Sequence, residues 1–316
     1  MTNDTIGIDI SKDHLDAHRL SDGASRRFAN DSRGHKAFMS WLSPSRLDPP
    51  GVRIVYEPTG PYHRAFERKL AAAGLALVKV NPRQARRFAE ATGRIAKTDR
   101  LDAAMLARMG ALLDLEARPV RSPILNDLKD LHMAREALVK NRTAARNRAK
   151  ALTLPILKRH NAQQLRQIER QMAAVEKEIT ALIQSDPDLS RRFAILVSIP
   201  GVSAITAFAL LIEMPELGTL GQGQAASLAG LAPVARQSGN WIGRAFIRGG
   251  RANVRQALYM PALVAMRFNP DLKAKYHQLT ADGKASKLAI TAIMRKLIIL
   301  ANALLRDNRT WTPSVP

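Results

Sequence analysis

The spacing of hydrophobic positions switches along the chain between a period of two and a period near 3.6. Residues 5–10 alternate, with Ile6, Ile8 and Ile10 on one side and Asp9 on the other, as in a half-buried strand. Residues 13–20 and 25–28 read as two further strands, joined through the turn Ser21-Asp22-Gly23. A helix over 32–42 carries Phe38, Trp41 and Leu42, and Pro49-Pro50-Gly51 breaks the chain before a strand at 52–57. A helix over 62–73, a strand over 75–80 and a helix over 82–90 follow. Leu101, Met105, Leu106 and Met109 then recur at helical spacing in a segment opened by Lys97-Thr98-Asp99. Three hairpin strands followed by alternating helices and strands predict an α/β layer fold.

Beyond residue 115 the strand signal fades. Leu125, Leu128, Leu131 and Leu138, and later Leu165, Ile168, Met172, Val175, Ile179 and Leu182, keep helical or heptad spacing over 123–185. Pro155 and His160-Asn161 are expected to separate two helices, giving an antiparallel hairpin or a coiled coil for a partner. Asp186-Pro187 closes this stretch, and Ile199-Pro200-Gly201 leads into a helix over 203–214. A Pro-Gly turn with free N–H groups at the following helix start can receive a phosphate, although most such turns are only turns. Helices are expected over 257–305, and a frayed tail over 306–316. The expected organisation is 1–115, 116–190 and 191–316: an α/β domain, a helical or coiled-coil linker, and a mainly α C-terminal domain.

Charge changes this picture most. The 316 residues hold 49 Lys+Arg against 27 Asp+Glu, a net charge of +22, which points to a polyanionic partner, most often nucleic acid. The excess is uneven: 191–316 holds 16 basic against 5 acidic residues, with no acid between Glu216 and Asp271. Phosphate contact explains such a window better than solvation alone. Absence of cysteine excludes disulfides and thiolate zinc sites. The N-terminus lacks the build of a signal peptide, and the apolar runs near 208–214 and 297–305 are too short to span a membrane. A cytoplasmic, nucleoid-associated protein with no membrane partner is expected.

The candidate chemistry is carboxylate-based. Asp9 and Glu57 stand in or at the end of apolar strands, and burying either alone costs several kcal/mol. Asp99 and Asp102 are three apart, hence neighbours on one helix face. Helix capping and dipole complementation account for the second pair, and a hydrogen-bonded structural role for the first. A divalent cation shared by all four accounts for both, and hard oxygen ligands without cysteine suit Mg²⁺ or Mn²⁺. In the acid-free window Ser238 is flanked by Arg236, Arg244, Arg248, Arg251 and Arg255, with glycines that permit close approach. Their guanidinium forks suit phosphate binding. Lys140, Arg142 and Arg146 lie in a second acid-free run, which is either a solvated face or a nucleic-acid contact.

The blocks G-I-D-I-S-K-D at 7–13, Y-E-P-T-G at 56–60, V-N-P-R-Q-A-R-R-F at 80–88 and K-T-D-R-L-D-A at 97–103 resemble the DEDD transposases of the insertion-sequence family numbered one hundred and ten. The resemblance implies an RNase H-like, RuvC-like N-terminal domain, with Asp9, Glu57, Asp99 and Asp102 as its acidic metal ligands. Sugar kinases and actin-like ATPases also open with a strand and an Asp, but they need a second Gly-rich phosphate loop, which 1–115 lacks. I-P-G-V-S-x-x-T-A at 199–207 resembles the helix-hairpin-helix-type element that opens the family's C-terminal transposase domain. G-L-A-P-x-x-x-Q-S-G from Gly230, with R-G-G-R-A-N-V-R-Q-A-L-Y after it, resembles that domain's signature. It implies that Ser238 is a nucleophile forming a covalent phosphoserine link to DNA. The family's partners would then be element and target DNA, a structured noncoding bridge RNA, and further copies of the chain as a homodimer or tetramer. Two rivals remain at this stage: a metal-dependent RuvC-like junction nuclease in which Ser238 is structural, and a non-enzymatic nucleic-acid scaffold.

Overall fold

The structure, a computed structural model, describes residues 4–42, 51–93, 99–115, 117, 122–238 and 241–313; the side chains of 99–101, 237, 238, 241, 242 and 244 lie outside the description. These residues form two compact units, Met1–Arg121 and Ser122–Pro316.

The first unit is a five-stranded sheet in the order β3-β2-β1-β4-β5. Strands β1 (Asp4–Ile10), β2 (His14–Arg19) and β3 (Ser25–Ala29) form an antiparallel meander, while β4 (Val52–Tyr56) and β5 (Ala76–Lys79) extend it in parallel. The mixed α/β unit is the expected RNase H-like one. Helices α1 (Ser32–Leu42) and α2 (Arg64–Ala72) cover one face, where Ile6, Ile8, Ile10, Leu15 and Ile54 pack against Phe38, Phe66 and Leu70. Helices α3 (Pro82–Ala91) and α4 (Asp99–Leu112) serve the other, where Val55 and Val78 meet Ala85, Met105, Leu106 and Met109. Asn81 caps α3 by accepting from the Arg83 amide at 2.9 Å, with Pro82 in the first turn. Lys97 and Thr98, considered as the cap of α4, lie outside the described residues.

One close approach fixes this second layer. A Cβ on Gly7 would stand 1.9 Å from the Ala103 carbonyl oxygen and 2.4 Å from the Ala107 amide nitrogen. The backbone of α4 therefore lies directly on β1, which only a glycine permits. Further along the helix, a Cβ on Gly110 would meet Val55 at 2.4 Å and Thr5 at 3.1 Å. Since Gly110 faces Thr5 while Ala103 faces Gly7, α4 runs opposite to β1 and its N-terminus points towards Asp9.

The second unit opens with α5 (Pro123–Ala149) and α6 (Pro155–Ser185), an antiparallel hairpin. Pro155 does begin the second helix, in the position where a missing N–H costs nothing. His160 and Asn161 do not break the chain; they lie inside α6, where buried Asn161 donates to the Ala145 carbonyl at 3.1 Å. After α6 come α7 (Pro187–Val197), α8 (Ala204–Glu213) and α9 (Gln222–Leu228). The ribbon β6 (Pro233–Ser238) and β7 (Trp241–Ile247) and the helices α10 (Ala252–Phe268), α11 (Pro270–Ala281) and α12 (Ser286–Arg306) complete it. Leu128 of α5 and Ile179 and Ile183 of α6 share one core with α7, α8, α10 and α12, so the helical hairpin is continuous with the C-terminal helices.

Helix α12 is long and apolar enough to cross a membrane, with mean hydropathy 1.9. However, Ala289, Ile293, Leu297, Ile298, Ala301 and Leu304 are fully buried against neighbouring helices, which makes it the core helix of the unit. The tail beyond it is not frayed over its described part. Arg191 donates to both the side chain and the carbonyl of Asn308 (3.0 and 2.8 Å), and the Trp311 amide donates to Ser198 Oγ at 2.8 Å.

Replacing Gly7 by Ala is expected to destabilise the fold by about 3 kcal/mol or more, because helix backbone cannot yield as a side chain can. Gly223→Ala, inside α9 where a Cβ meets nothing within 4 Å, provides the contrast in the same urea titration and is expected to stabilise by up to about 1 kcal/mol. Buried His132 supplies a pH test. Burial holds its pKa below the usual imidazole value, with Lys129 and Arg135 of α5 adding to the effect and Glu136 and, from α8, Glu213 opposing it. A depressed pKa leaves the unfolded state the better proton acceptor, so stability is full above the unfolded value near 6.5 and falls as pH drops towards the folded one. The expected loss is about 1.4 kcal/mol per unit of depression, abolished by His132→Gln and read from urea midpoints between about pH 8 and pH 5.

Candidate active site and nucleic-acid surface

In parallel register Ile8 pairs with Tyr56, so Asp9 and Glu57 are the next residues of β1 and the chain leaving β4, level with each other at the same sheet edge. Asp9 lies two residues past Gly7 and shares its face, about 7 Å further along the strand. Asp99 begins α4, four residues and about 6 Å of helix before Ala103. Asp102 immediately precedes Ala103 and is half-buried. The Gly7 approach thus brings the backbone positions of all four acids to one end of the sheet, where the positive end of the α4 dipole also lies. The side chain of Asp99 lies outside the described residues, and among the described ones no group of three or more metal-ligating side chains is closed up as a metal site. What fits a hard divalent ion is the chemistry of the donor set, four carboxylates without a thiol among them.

Several residues that support this edge were not anticipated from sequence. Asn30 Nδ2 donates to the Ser11 carbonyl at 2.8 Å and to the Tyr62 carbonyl at 3.1 Å, tying the turn after Asp9 to the loop after Glu57. On the far side of β4 the Tyr56 hydroxyl donates to Glu67 Oε1 at 2.6 Å, and Lys79 reaches the same oxygen at 2.8 Å. Burial and then Glu67 push the Tyr56 phenol far above its ordinary pKa, so it remains a donor. His63, 3.6 Å from Glu67, is held below the usual imidazole value by burial first and by the Lys79 charge second. Asp16 pairs with Asp9 across the antiparallel strands and accepts two hydrogen bonds from Arg27, both 2.9 Å. A fifth carboxylate therefore shares the Asp9 face, already neutralised by a bidentate guanidinium. The alternating polar residues of β2 and β3 were its only sequence signal.

In the second unit the segment around Ser238 is a β-ribbon, with Ser238 the last residue of β6, paired with Trp241. Its base is cinched by backbone packing. A Cβ on Gly250 would stand 2.2 Å from the Gly230 amide nitrogen, and one on Gly230 would stand 2.3 Å from the Gly249 carbonyl oxygen, both glycines having positive φ. These glycines serve chain-on-chain contact, where sequence had suggested approach to a phosphate. Arg255 Nη1 donates to the Gly249 and Gly230 carbonyls at 3.0 and 3.4 Å. Arg251 donates to the Glu213 carbonyl and forms an ion pair with Glu216. Arg255 thus braces the base of the ribbon and Arg251 ties the start of α10 to the end of α8, whereas Arg236 and Arg248 are exposed; the side chain of Arg244 lies outside the described residues. The turn at Gly201 is likewise packed: a Cβ there would be 2.7 Å from the Pro261 carbonyl oxygen and 2.8 Å from the Ala265 amide nitrogen. On the α5–α6 hairpin Lys140 is exposed, Arg142 is half-buried and Arg146 pairs with Glu169 at 3.2 Å.

Known proteins match along this whole layout. Residues 6–157 match the family model of IS110-type DEDD transposases, and 193–277 match one described as "Transposase IS116/IS110/IS902 family". The chain belongs to the IS110 family of transposases. A "Pilin gene-inverting protein" of Moraxella bovis is 29% identical over 324 residues, covering 98% of both chains, and its namesake in Moraxella lacunata aligns equally far. An uncharacterized 43.6 kDa protein of insertion element IS110 in Streptomyces coelicolor is 34% identical over 167 residues, 52% of this chain and 40% of its own length. Transposase activity on DNA follows from the family, and with it the enzyme class.

The two kinds of arginine in the transposase should separate experimentally. Arg251→Ala is expected to cost about 1–2 kcal/mol of stability by removing the half-buried ion pair with Glu216 and the hydrogen bond to the Glu213 carbonyl. Arg236→Ala should leave the unfolding midpoint in place, weaken DNA binding and lower the salt slope by about one, as measured by fluorescence anisotropy across a salt series.

Proposed function

We propose that the chain is a recombinase that cleaves and exchanges DNA strands using two chemically distinct groups, the carboxylates Asp9, Glu57, Asp99 and Asp102 and the hydroxyl of Ser238. The observation that carries the first half is the Gly7 contact, which sets all four acidic positions at one end of the first sheet. In this reading those carboxylates hold Mg²⁺, with Mn²⁺ as substitute, and the ion would supply Lewis-acid neutralisation of phosphate charge. Ser238 Oγ forms a bond to the scissile phosphorus, the sugar oxygen leaves with the shared electron pair, and the proton released by serine returns to that oxygen. Arg236 and Arg248, exposed in a segment without acids, hold the phosphate and offset the charge of the transition state.

Rejoining of strands is favoured over simple nuclease action by the full-length relatives named for gene inversion, since inversion requires every cut end to be resealed. Resemblance to the family further suggests a structured noncoding bridge RNA as guide and a homodimer or tetramer as the working form. The net charge of +22 suits a second polyanion.

The test is adduct formation on labelled DNA with Mg²⁺ and the element's flanking transcript. Wild type is expected to form a covalent complex mapping to Ser238. Ser238→Ala should lose both adduct and cleavage, and Asp9→Asn should reduce them by at least about a thousandfold. Cleavage that survives Ser238→Ala would make the protein a metal-dependent nuclease instead.

A further inference from the structure

The register of the β6–β7 ribbon carries information that the serine assignment does not use. Ser238 pairs with Trp241 and Arg236 with Gly243, but Val234 pairs with Phe246, so β7 holds one extra residue between the last two pairs. That bulge changes the phase of β7 alone. Without it Phe246 would lie on the face opposite Arg236; with it, the pairing puts Phe246 on the face of Val234 and Arg236, which Gly243 and, by backbone register, Ser238 and Trp241 share. Phe246 is 40% and Val234 42% exposed, an aromatic and an aliphatic residue directly opposed and facing solvent. The apolar pair is set in a segment with no acid from residue 217 to 270, beside the exposed Arg236 and Arg248.

Exposed aromatic surface next to arginine on a two-stranded ribbon matches a nucleic acid by charge and by the π-face every base offers. We propose that Phe246, backed by Val234, is a stacking platform for a base of the cleaved DNA strand next to the phosphate that Ser238 attacks. The platform would hold that strand unstacked while Arg236, two residues before the serine, holds the phosphate. The opposing glycine, Gly243, leaves the ribbon without a side chain at the position paired with Arg236, so a backbone phosphate can come close to it. This inference rests on the serine reading above, because it places the base by reference to the attacked phosphate.

The experiment uses the full chain and a DNA substrate carrying 2-aminopurine beside the mapped cleavage position. Because Phe246 is exposed, Phe246→Ala is expected to keep the wild-type unfolding midpoint. It should weaken DNA binding by between about fivefold and a hundredfold and remove the 2-aminopurine signal change seen with wild type. The salt slope should be unchanged, since no charge is lost. Phe246→Trp should retain binding, and Phe246→Leu, equally apolar but without a ring, should not. Unchanged affinity in Phe246→Ala, or wild-type behaviour in Phe246→Leu, would overturn the proposal. A loss confined to the RNA transcript, or a change of oligomeric state on size exclusion, would overturn it too, assigning the face to the guide or to a second copy. Ser238→Ala separates the two readings. An adduct lost with Ser238→Ala but a silent Phe246→Ala refutes the platform alone. An adduct that persists in Ser238→Ala refutes the nucleophile whatever Phe246 does.

Discussion

The first unit depends on a helix backbone lying against a strand with no side chain between them. Gly7 supplies the gap on β1, and Ala103, Ala107 and Gly110 keep the facing stripe of α4 small. Any Cβ at Gly7 would occupy space already filled by the Ala103 carbonyl, so the separation of helix and strand is fixed by atoms that have no rotamers. The positions of Asp9 and Asp102 relative to one another inherit that rigidity. A carboxylate cluster assembled instead across long side-chain packing would drift with every core rearrangement. Like charges brought together resist such assembly, and a contact of this kind, with the buried Ile6, Ile8 and Ile10 on the opposite face, opposes that repulsion.

The second unit repeats the device with different partners. Gly201 admits α10, and Gly230 with Gly250 closes the base of the ribbon. Arg255 then binds the Gly230 and Gly249 carbonyls on the two sides of that closure, and Arg251 binds the Glu213 carbonyl at the end of α8. The glycine-rich signature is therefore architectural at its ends, while Val234, Arg236, Phe246 and Arg248 between them are exposed. Arginines that look equivalent in a string divide into those that bind backbone carbonyls, Arg251 and Arg255, and those left exposed, Arg236 and Arg248.

Most of the first unit was legible in the sequence because alternation and turn residues report directly on strand and hairpin, as with Ile6, Ile8 and Ile10 or Ser21-Asp22-Gly23. The four acids were found through motif blocks; local patterning alone left Asp99 and Asp102 as a helix start. Asn30, Tyr56 and Glu67 escaped notice because their partners are remote in sequence and nothing in a period of two or 3.6 marks a cross-loop hydrogen bond. The β-ribbon was missed for a different reason: Val234-Ala-Arg-Gln-Ser has no alternation, and a ribbon without a second layer needs none. The structural role of Arg251 could have been suspected only by knowing that Glu216, thirty-five residues earlier, folds back to it. His160-Asn161 misled because polar residues usually mark a break, whereas here Asn161 bonds across to the neighbouring helix.

Helix α12 has a consequence for the life of the polypeptide. Its apolar surface is long enough to be taken for a bilayer segment, yet it emerges after the helices that must cover it, α7, α9, α10 and α11. A receptive groove can thus be waiting when it arrives, and the interval in which membrane or chaperone could capture it is short. Truncations or slow steps upstream would lengthen that interval, turning a core helix into an aggregation hazard.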